Sequence, residues 1–78
     1  MPTVMFAGPY RFHFYSNERQ EPPHIHVDFQ DNDVKFWLDP VRLARNKGVP
    51  IHKLRMIERL VRDHAIAFKE KYDEYHGR

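Results

Sequence analysis

Apolar and polar residues alternate with a period of two along the first half of the chain, from Val4 to about Leu43. Because successive side chains of a β-strand point to opposite faces, this alternation is typical of strands with one buried face. Turn-forming residues such as Gly8-Pro9 and Pro40 interrupt it. The pattern predicts strands at 3–7, 10–15, 24–29 and 34–38, and it favours a short strand over a helical turn at 41–44.

A helical period replaces the alternation from Ile51 onward. Seven seam positions recur every three or four residues: Leu54, Ile57, Val61, His64, Phe68, Tyr72 and Tyr75. This spacing predicts one long helix at 51–75, with Pro50 suited to its start and Gly77 to its end. We interpret His64 as a core histidine with one hydrogen-bonded ring nitrogen.

These elements predict a single domain, 1–78, of the α+β class. A sheet must bury its apolar face, and the predicted helix is the only element that can cover it. The expected architecture is therefore a small antiparallel β-sheet of about four strands, packed on one face by a single long C-terminal α-helix.

The middle of the sheet is predicted to be a hairpin with a four-residue loop at 30–33. Pairing Phe29 with Val34 places every apolar pair on one face. The same register sets three polar pairs on the other face: Asp28 with Lys35, His26 with Trp37, and His24 with Asp39. A further turn is predicted at Asn46-Lys47-Gly48.

Composition narrows the class of protein. A chain of 78 residues is too short for two domains or for a doubly wound nucleotide-binding sheet. With no cysteine, disulfides and thiolate metal sites are excluded, and a reducing compartment is expected. The apolar run Val4–Ala7 is too short for a membrane span. We therefore expect a cytoplasmic protein that does not contact membranes.

Basic residues concentrate in one segment although the net charge is only +2. Between 42 and 62 there is one acid, Glu58, among seven basic residues: Arg42, Arg45, Lys47, Lys53, Arg55, Arg59 and Arg62. On the predicted helix, Arg55, Arg59 and Arg62 form a stripe opposite the apolar seam. Such a stripe is either an ordinary solvated helix face or a contact for nucleic acid or an acidic partner.

The face of the sheet that the helix does not cover is rich in functional groups. Strand parity places nine side chains there: Arg11, His13, Tyr15, His24, His26, Asp28, Lys35, Trp37 and Asp39. A solvated sheet face does not need three imidazoles and an indole. We therefore expect a solvent-open contact surface.

Three interpretations of this surface are open. In one, His24 and His26 bind a divalent metal with Asp28 or His13 as a third ligand, because residues two apart on a strand point the same way. In another, His24 and His26 act as general acid and base in RNA cleavage, with Lys35 or Arg11 stabilising charge.

The third interpretation, which we favour, is a binding surface for a partner protein or for a second copy of the chain. It would use Trp37, Tyr15, Arg11 and Lys35 together with the histidines, with His26 stacked on Trp37 and His24 bonded to Asp39. No cofactor is then required.

Several segments, in this order, resemble a known family. They are 1–4, the run YRFHFYSNE at 10–18, PPHIHV at 22–27, FWLDP at 36–40, and the NKG turn before a Leu-x-x-Ile helix. Together they resemble the small bacterial domain-of-unknown-function family 4160. The resemblance implies a stand-alone bacterial protein, often encoded beside another small gene in a pair that looks like a toxin–antitoxin module.

No activity comes with that resemblance. His24, His26 and Trp37 are the residues that it transfers. Many relatives carry a further histidine before the double proline, where this chain reads Arg19-Gln20-Glu21. The resemblance therefore implies an interaction module, with a partner protein encoded by an adjacent gene, and it does not support a shared three-histidine metal site.

Overall fold

A computed structural model describes residues 3–15 and 20–77. Within them are five strands and two helices: β1 Thr3–Ala7, β2 Tyr10–His13, β3 His24–Phe29, β4 Asn32–Leu38, β5 Val41–Lys47, α1 Ile51–Asp63 and α2 Ala65–His76. The strands form one antiparallel sheet in chain order. The predicted α+β class is confirmed, with five strands in place of about four and two helices in place of one. Residues 16–19 lie outside the described part of the chain. They include the end of the motif at 10–18 and the first half of the segment between the predicted strands at 10–15 and 24–29.

The predicted helix at 51–75 is interrupted at His64, whose backbone leaves the helical region (φ −115°, ψ 13°). The His64 ring nitrogen Nδ1 lies 2.9 Å from the carbonyl oxygen of Leu60, and the ring stacks on Phe68. His64 is half-buried rather than part of the core. On either side of this interruption, α1 packs on β4 and β5 whereas α2 packs on β3 and β4.

The hairpin of β3 and β4 is closed by two residues, not four. Gln30 takes a left-handed conformation (φ 56°), which suits a tight two-residue turn. As a result Val27 pairs with Val34, and the predicted pairing of Phe29 with Val34 is wrong by two residues. Because the shift is even, every side chain keeps its predicted face.

Strand ends differ from the prediction at two places. β2 stops at His13 and not at residue 15, while β5 runs on to Lys47. The predicted turn at Asn46-Lys47-Gly48 is thus partly strand. The Asn46 side chain instead organises the residues after it, because its oxygen accepts from the Val49 amide and its nitrogen donates to the Val49 carbonyl, both at 2.9 Å.

The apolar core lies between the sheet and the two helices. Phe12 stacks on Phe68 with ring centroids 5.3 Å apart, and Phe14 meets Tyr72 edge to face at 5.4 Å. From the helices the buried residues are Leu54, Ile57, Val61, Phe68 and Tyr72, all at predicted seam positions. Tyr75, also predicted for the seam, is 41% exposed.

Candidate functional site

The predicted side chains that belong to β2, β3 and β4 share the face of the sheet away from the core, whereas Asp39 follows β4 and lies beside α2. His13 and His26 alternate along their strands with the core residues Phe12 and Val27, so they point to the opposite side. Tyr15 lies on the same side, although it follows β2 rather than belonging to it.

At the three histidines and Lys35 this face is closed to solvent, although the sequence predicted an open surface. His13, His24 and His26 are each 0% exposed and Lys35 is 8% exposed. The prediction of a solvent-open surface is therefore wrong for these four residues. Direct contact between a partner and the imidazoles of His24 or His26 would require the covering residues to move.

Residues at both ends of the connection between β2 and β3 cover the face. The Tyr15 ring lies edge-on to the rings of His26, at 4.4 Å, and His13, at 5.1 Å. The Glu21 carboxylate pairs with the Lys35 ammonium. The alternation of apolar and polar residues in a strand does not show whether another segment of the chain covers its polar face. The burial of this face could therefore not be predicted from the alternation.

Two carboxylates organise the charges on this face. Asp28 and Asp33 lie opposite each other on β3 and β4. Asp28 is 3.1 Å from Arg11 Nη1 and 3.0 Å from His13 Nε2. The predicted pairing of Asp28 with Lys35 is therefore replaced by one with Arg11.

Asp33 sits between an imidazole and a guanidinium in the same way. Its Oδ1 is 3.8 Å from His26 Nδ1, and its Oδ2 is 3.6 Å from Arg45. Each of the two carboxylates thus lies beside one cation from a neighbouring strand. His13, His26, Arg11, Asp28 and Tyr15 thus form a connected polar cluster, and Asp33 and Arg45 belong to it without having been predicted from the alternation.

His24 has different surroundings from His26. Its Nδ1 lies 2.9 Å from the Pro22 carbonyl oxygen, and its ring makes edge contacts with Trp37 at 5.8 Å and Tyr72 at 5.3 Å. The predicted stack of His26 on Trp37 is therefore a contact of His24. Asp39, the predicted partner of His24, instead lies 3.2 Å from Lys69 of α2.

The placement of these groups bears on the metal interpretation. Among residues 3–15 and 20–77, no three His, Asp or Glu side chains are arranged to hold one metal ion. His24 turns towards Trp37 and Tyr72, whereas His13 and Asp28 lie on the far side of His26. The rings of His24 and His26 are 5.2 Å apart, but neither Asp28 nor His13 joins them as the third ligand of one site among the described residues.

Trp37 is half-buried and presents part of its indole to a cleft of about 220 Å³. The cleft is lined by Pro22, Trp37, Asp39, Pro40 and Arg42. On its inner side, the Lys35 ammonium lies 4.7 Å from the indole centroid, a cation–π contact. Of the predicted binding residues, Trp37 is thus one that a partner can reach without rearrangement.

Six of the seven basic residues at 42–62 lie on two surfaces on opposite sides of the sheet, while the Lys53 ammonium lies over the Phe29 ring. We name Arg55, Arg59 and Arg62 of α1 the arginine surface; all three are exposed, as the helical spacing predicted. They border a cleft of about 320 Å³ together with Glu58 and Asp63. Arg62 is paired with Glu58 at 2.9 Å, whereas the described structure gives Arg55 and Arg59 no ion pair.

The second basic surface lies on β5, and we name it the edge surface: Arg42, Arg45 and Lys47. These residues pair with Trp37, Lys35 and Asp33 respectively, so they share the side of the sheet that carries the histidines. A bulge in β5 between Leu43 and Arg45 is the cause. Without the extra residue, Arg45 would point to the opposite side from Arg42.

Neither helix in the described residues is long and apolar enough to cross a membrane.

Comparison with known proteins gives a family but no characterised relative. Searches of curated proteins and of solved structures returned no match. The model of the family described as "Domain of unknown function (DUF4160)" matches residues 10–73, which include the histidine-containing strands, the Trp37 segment and most of both helices. Because this match spans most of the 78 residues, the chain belongs to the DUF4160 family.

Proposed function

We propose that this protein is a non-enzymatic binding module, one member of a bacterial toxin–antitoxin-like pair, which binds both nucleic acid and a partner protein in the cytoplasm. The observation that carries the proposal is the arginine surface, where Arg55 and Arg59 are exposed and make no ion pair in the described structure. The paired-gene setting rests on what membership of the family implies.

The geometry of α1 suits a phosphate backbone. Arg55, Arg59 and Arg62 stand at positions i, i+4 and i+7, which lie within about 60° of one another around a helix. They span about 10 Å along its axis. Guanidinium groups form paired hydrogen bonds with phosphate oxygens, and each contact releases counter-ions, so such binding weakens as salt rises.

The test is a salt titration with a labelled 20-base-pair DNA duplex and a labelled 20-nucleotide RNA. With three phosphate contacts, the logarithm of the association constant should fall against the logarithm of salt concentration with a slope of about −2 to −3. The double variant Arg55→Glu/Arg59→Glu should bind at least about tenfold more weakly and lose about two units of slope. An affinity that does not respond to salt would contradict the proposal.

The partner protein is proposed to contact the Trp37 cleft. Half-buried tryptophan beside arginine is the composition typical of interface hot spots. When the product of the adjacent gene is co-expressed with a tag, it should retain the wild-type protein and release Trp37→Ala. Trp37→Phe, which keeps an aromatic ring, should be retained in part. Equal retention of all three folded proteins would place the interface elsewhere.

RNA cleavage by His24 and His26 is the alternative. A general acid or base must reach the reacting oxygen within about 3 Å, and both rings are 0% exposed. We therefore expect the RNA recovered from the binding assay to be intact. Cleavage that disappears in a folded His26→Ala variant would instead favour the RNA-cleaving interpretation.

A further inference from the structure

β5 forms one edge of the sheet, and no further strand lies beyond it in residues 3–15 and 20–77. Every residue from Arg42 to Lys47 is exposed. About half of the backbone N–H and C=O groups of an edge strand point away from its neighbour. This edge is therefore a place where another extended segment can form main-chain hydrogen bonds.

The two sides of β5 differ in chemistry. Arg42, Arg45 and Lys47 stand on the histidine side because of the bulge. Leu43 pairs with the core residue Phe36, so it stands on the helix side, and it is 45% exposed. The first residue of α1, Ile51, is also 62% exposed. The edge thus offers a row of cations on one side and apolar surface on the other.

In residues 3–15 and 20–77, few carboxylates pair with the cations of this edge. Arg42 and Lys47 make no ion pair in the described structure, and the contact of Arg45 with Asp33 is long, at 3.6 Å. An added strand that carries carboxylates would supply the missing counter-charges. A second copy of this chain would not, since antiparallel pairing of two β5 strands would bring their cations together.

We propose that β5 binds an extended acidic segment of the partner protein as a sixth strand of the sheet. The bound segment alternates carboxylates, which face Arg42, Arg45 and Lys47, with apolar residues, which face Leu43. This inference rests on the proposed function, because it assumes that a partner protein exists, and it specifies the chemistry by which that partner is recognised.

The test uses a labelled nine-residue peptide that alternates Glu and Val, with blocked ends, and the full-length protein. Fluorescence anisotropy should detect binding, and the amides of β5 should exchange with deuterium more slowly in the complex. A Lys–Val peptide should not bind. A Glu–Pro peptide has the same charge but cannot complete the main-chain ladder, so it should bind about tenfold more weakly.

Two double variants of equal charge change locate the binding. Arg42→Glu/Lys47→Glu should weaken binding of the Glu–Val peptide by about tenfold. Arg55→Glu/Arg59→Glu changes the charge by the same amount on the arginine surface and should alter it by less than about threefold. None of these four residues makes an ion pair in the described structure, so their replacement removes no internal contact of that kind.

Several results would overturn the inference. The inference fails if the Glu–Val peptide does not bind, if both double variants weaken its binding equally, or if the Glu–Pro peptide binds equally well. It also fails if the protein forms a dimer whose β5 amides are protected without peptide, because a second copy would then be the occupant. Co-expression with the neighbouring gene distinguishes failure of the β5 inference from failure of the proposed function. If the neighbouring gene product is retained by Arg42→Glu/Lys47→Glu, only the β5 inference fails; if it is not retained by the wild type, the proposed protein partner fails.

Discussion

Side chains are buried on both faces of the sheet, but their surroundings differ in chemistry. On the helix side, Phe12, Val27 and Phe36 are 0% exposed against apolar residues of α1 and α2. On the other side, His13 and His26 are equally buried, yet their neighbours are Tyr15 and the carboxylates of Asp28 and Asp33. Complete burial of a side chain therefore does not indicate whether its contacts are apolar or polar.

The two faces are expected to lose stability on substitution for different physical reasons. An apolar core resists truncation because each removed atom loses transfer free energy and leaves a cavity. A buried polar layer depends instead on complete pairing, since removing one partner leaves the other desolvated without compensation. On the apolar face, the loss of stability should therefore depend on how much buried volume is removed. On the polar face, it should depend on which partner of a pair is left buried without the other.

The largest expected effect is on the helix side. Phe36→Ala should lower the free energy of unfolding by about 3–5 kcal/mol, because the ring is fully buried and its removal leaves a cavity. Phe36→Leu, which retains more volume, should cost less and keep the protein measurable. Urea unfolding gives both values. The control is Phe6→Ala, which is 68% exposed and should change stability by about 0.5 kcal/mol or less. Equal losses at the two positions would contradict the assignment of this core.

An intermediate effect is expected on the polar side, and it should be asymmetric. The side chain of Lys35 is 10% exposed whereas that of its partner Glu21 is 39% exposed. Glu21→Gln should cost about 2–3 kcal/mol because it leaves a buried ammonium without its counter-ion. Lys35→Met should cost about 1 kcal/mol or less, since water can solvate the remaining carboxylate. Urea unfolding of both variants tests the order, and the reverse order would show that the pair is not buried as described.

The smallest effect on stability is expected at an exposed ion pair. It serves as a reference for the substitutions on the two faces of the sheet. Glu58→Gln removes the i,i+4 contact with Arg62 and should lower stability by only about 0.3–0.5 kcal/mol. In the DNA titration it should strengthen binding, because it frees Arg62 and removes a negative charge from the arginine surface. Glu70→Gln, an exposed acid on α2, is the matched control and should leave the affinity nearly unchanged. Weaker binding by Glu58→Gln would argue against the arginine surface as the contact.

Much of the fold could be predicted from local pattern. The predicted bounds of β1 and β3 are confirmed at both ends, and the side chains of β2, β3 and β4 alternate between the two faces as predicted. By contrast, the interruption at His64 lies in a stretch with no glycine or proline, so helical periodicity continues through it. The register error arose because two-residue and four-residue turns give the same parity.

For the candidate site, the sequence predicted which residues belong to it better than it predicted their burial and contacts. The sequence indicated which side chains share a face, but it did not indicate that Tyr15 and Glu21 cover them or that a bulge turns Arg45 towards Arg42. The two basic surfaces on opposite sides of the sheet also follow from that bulge and from the packing of α1.

By itself, the sequence determined the class of fold, the positions of the strands, most of the apolar seam of the helices and the alternation of side chains in β2, β3 and β4. These follow from periodicity, which the backbone geometry of helices and strands imposes locally. Only the tertiary structure decided that the histidines are enclosed, that Asp33 and Arg45 join them, and that the basic residues are divided. Those outcomes depend on contacts between segments distant along the chain, where no repeat in the sequence relates one segment to the other.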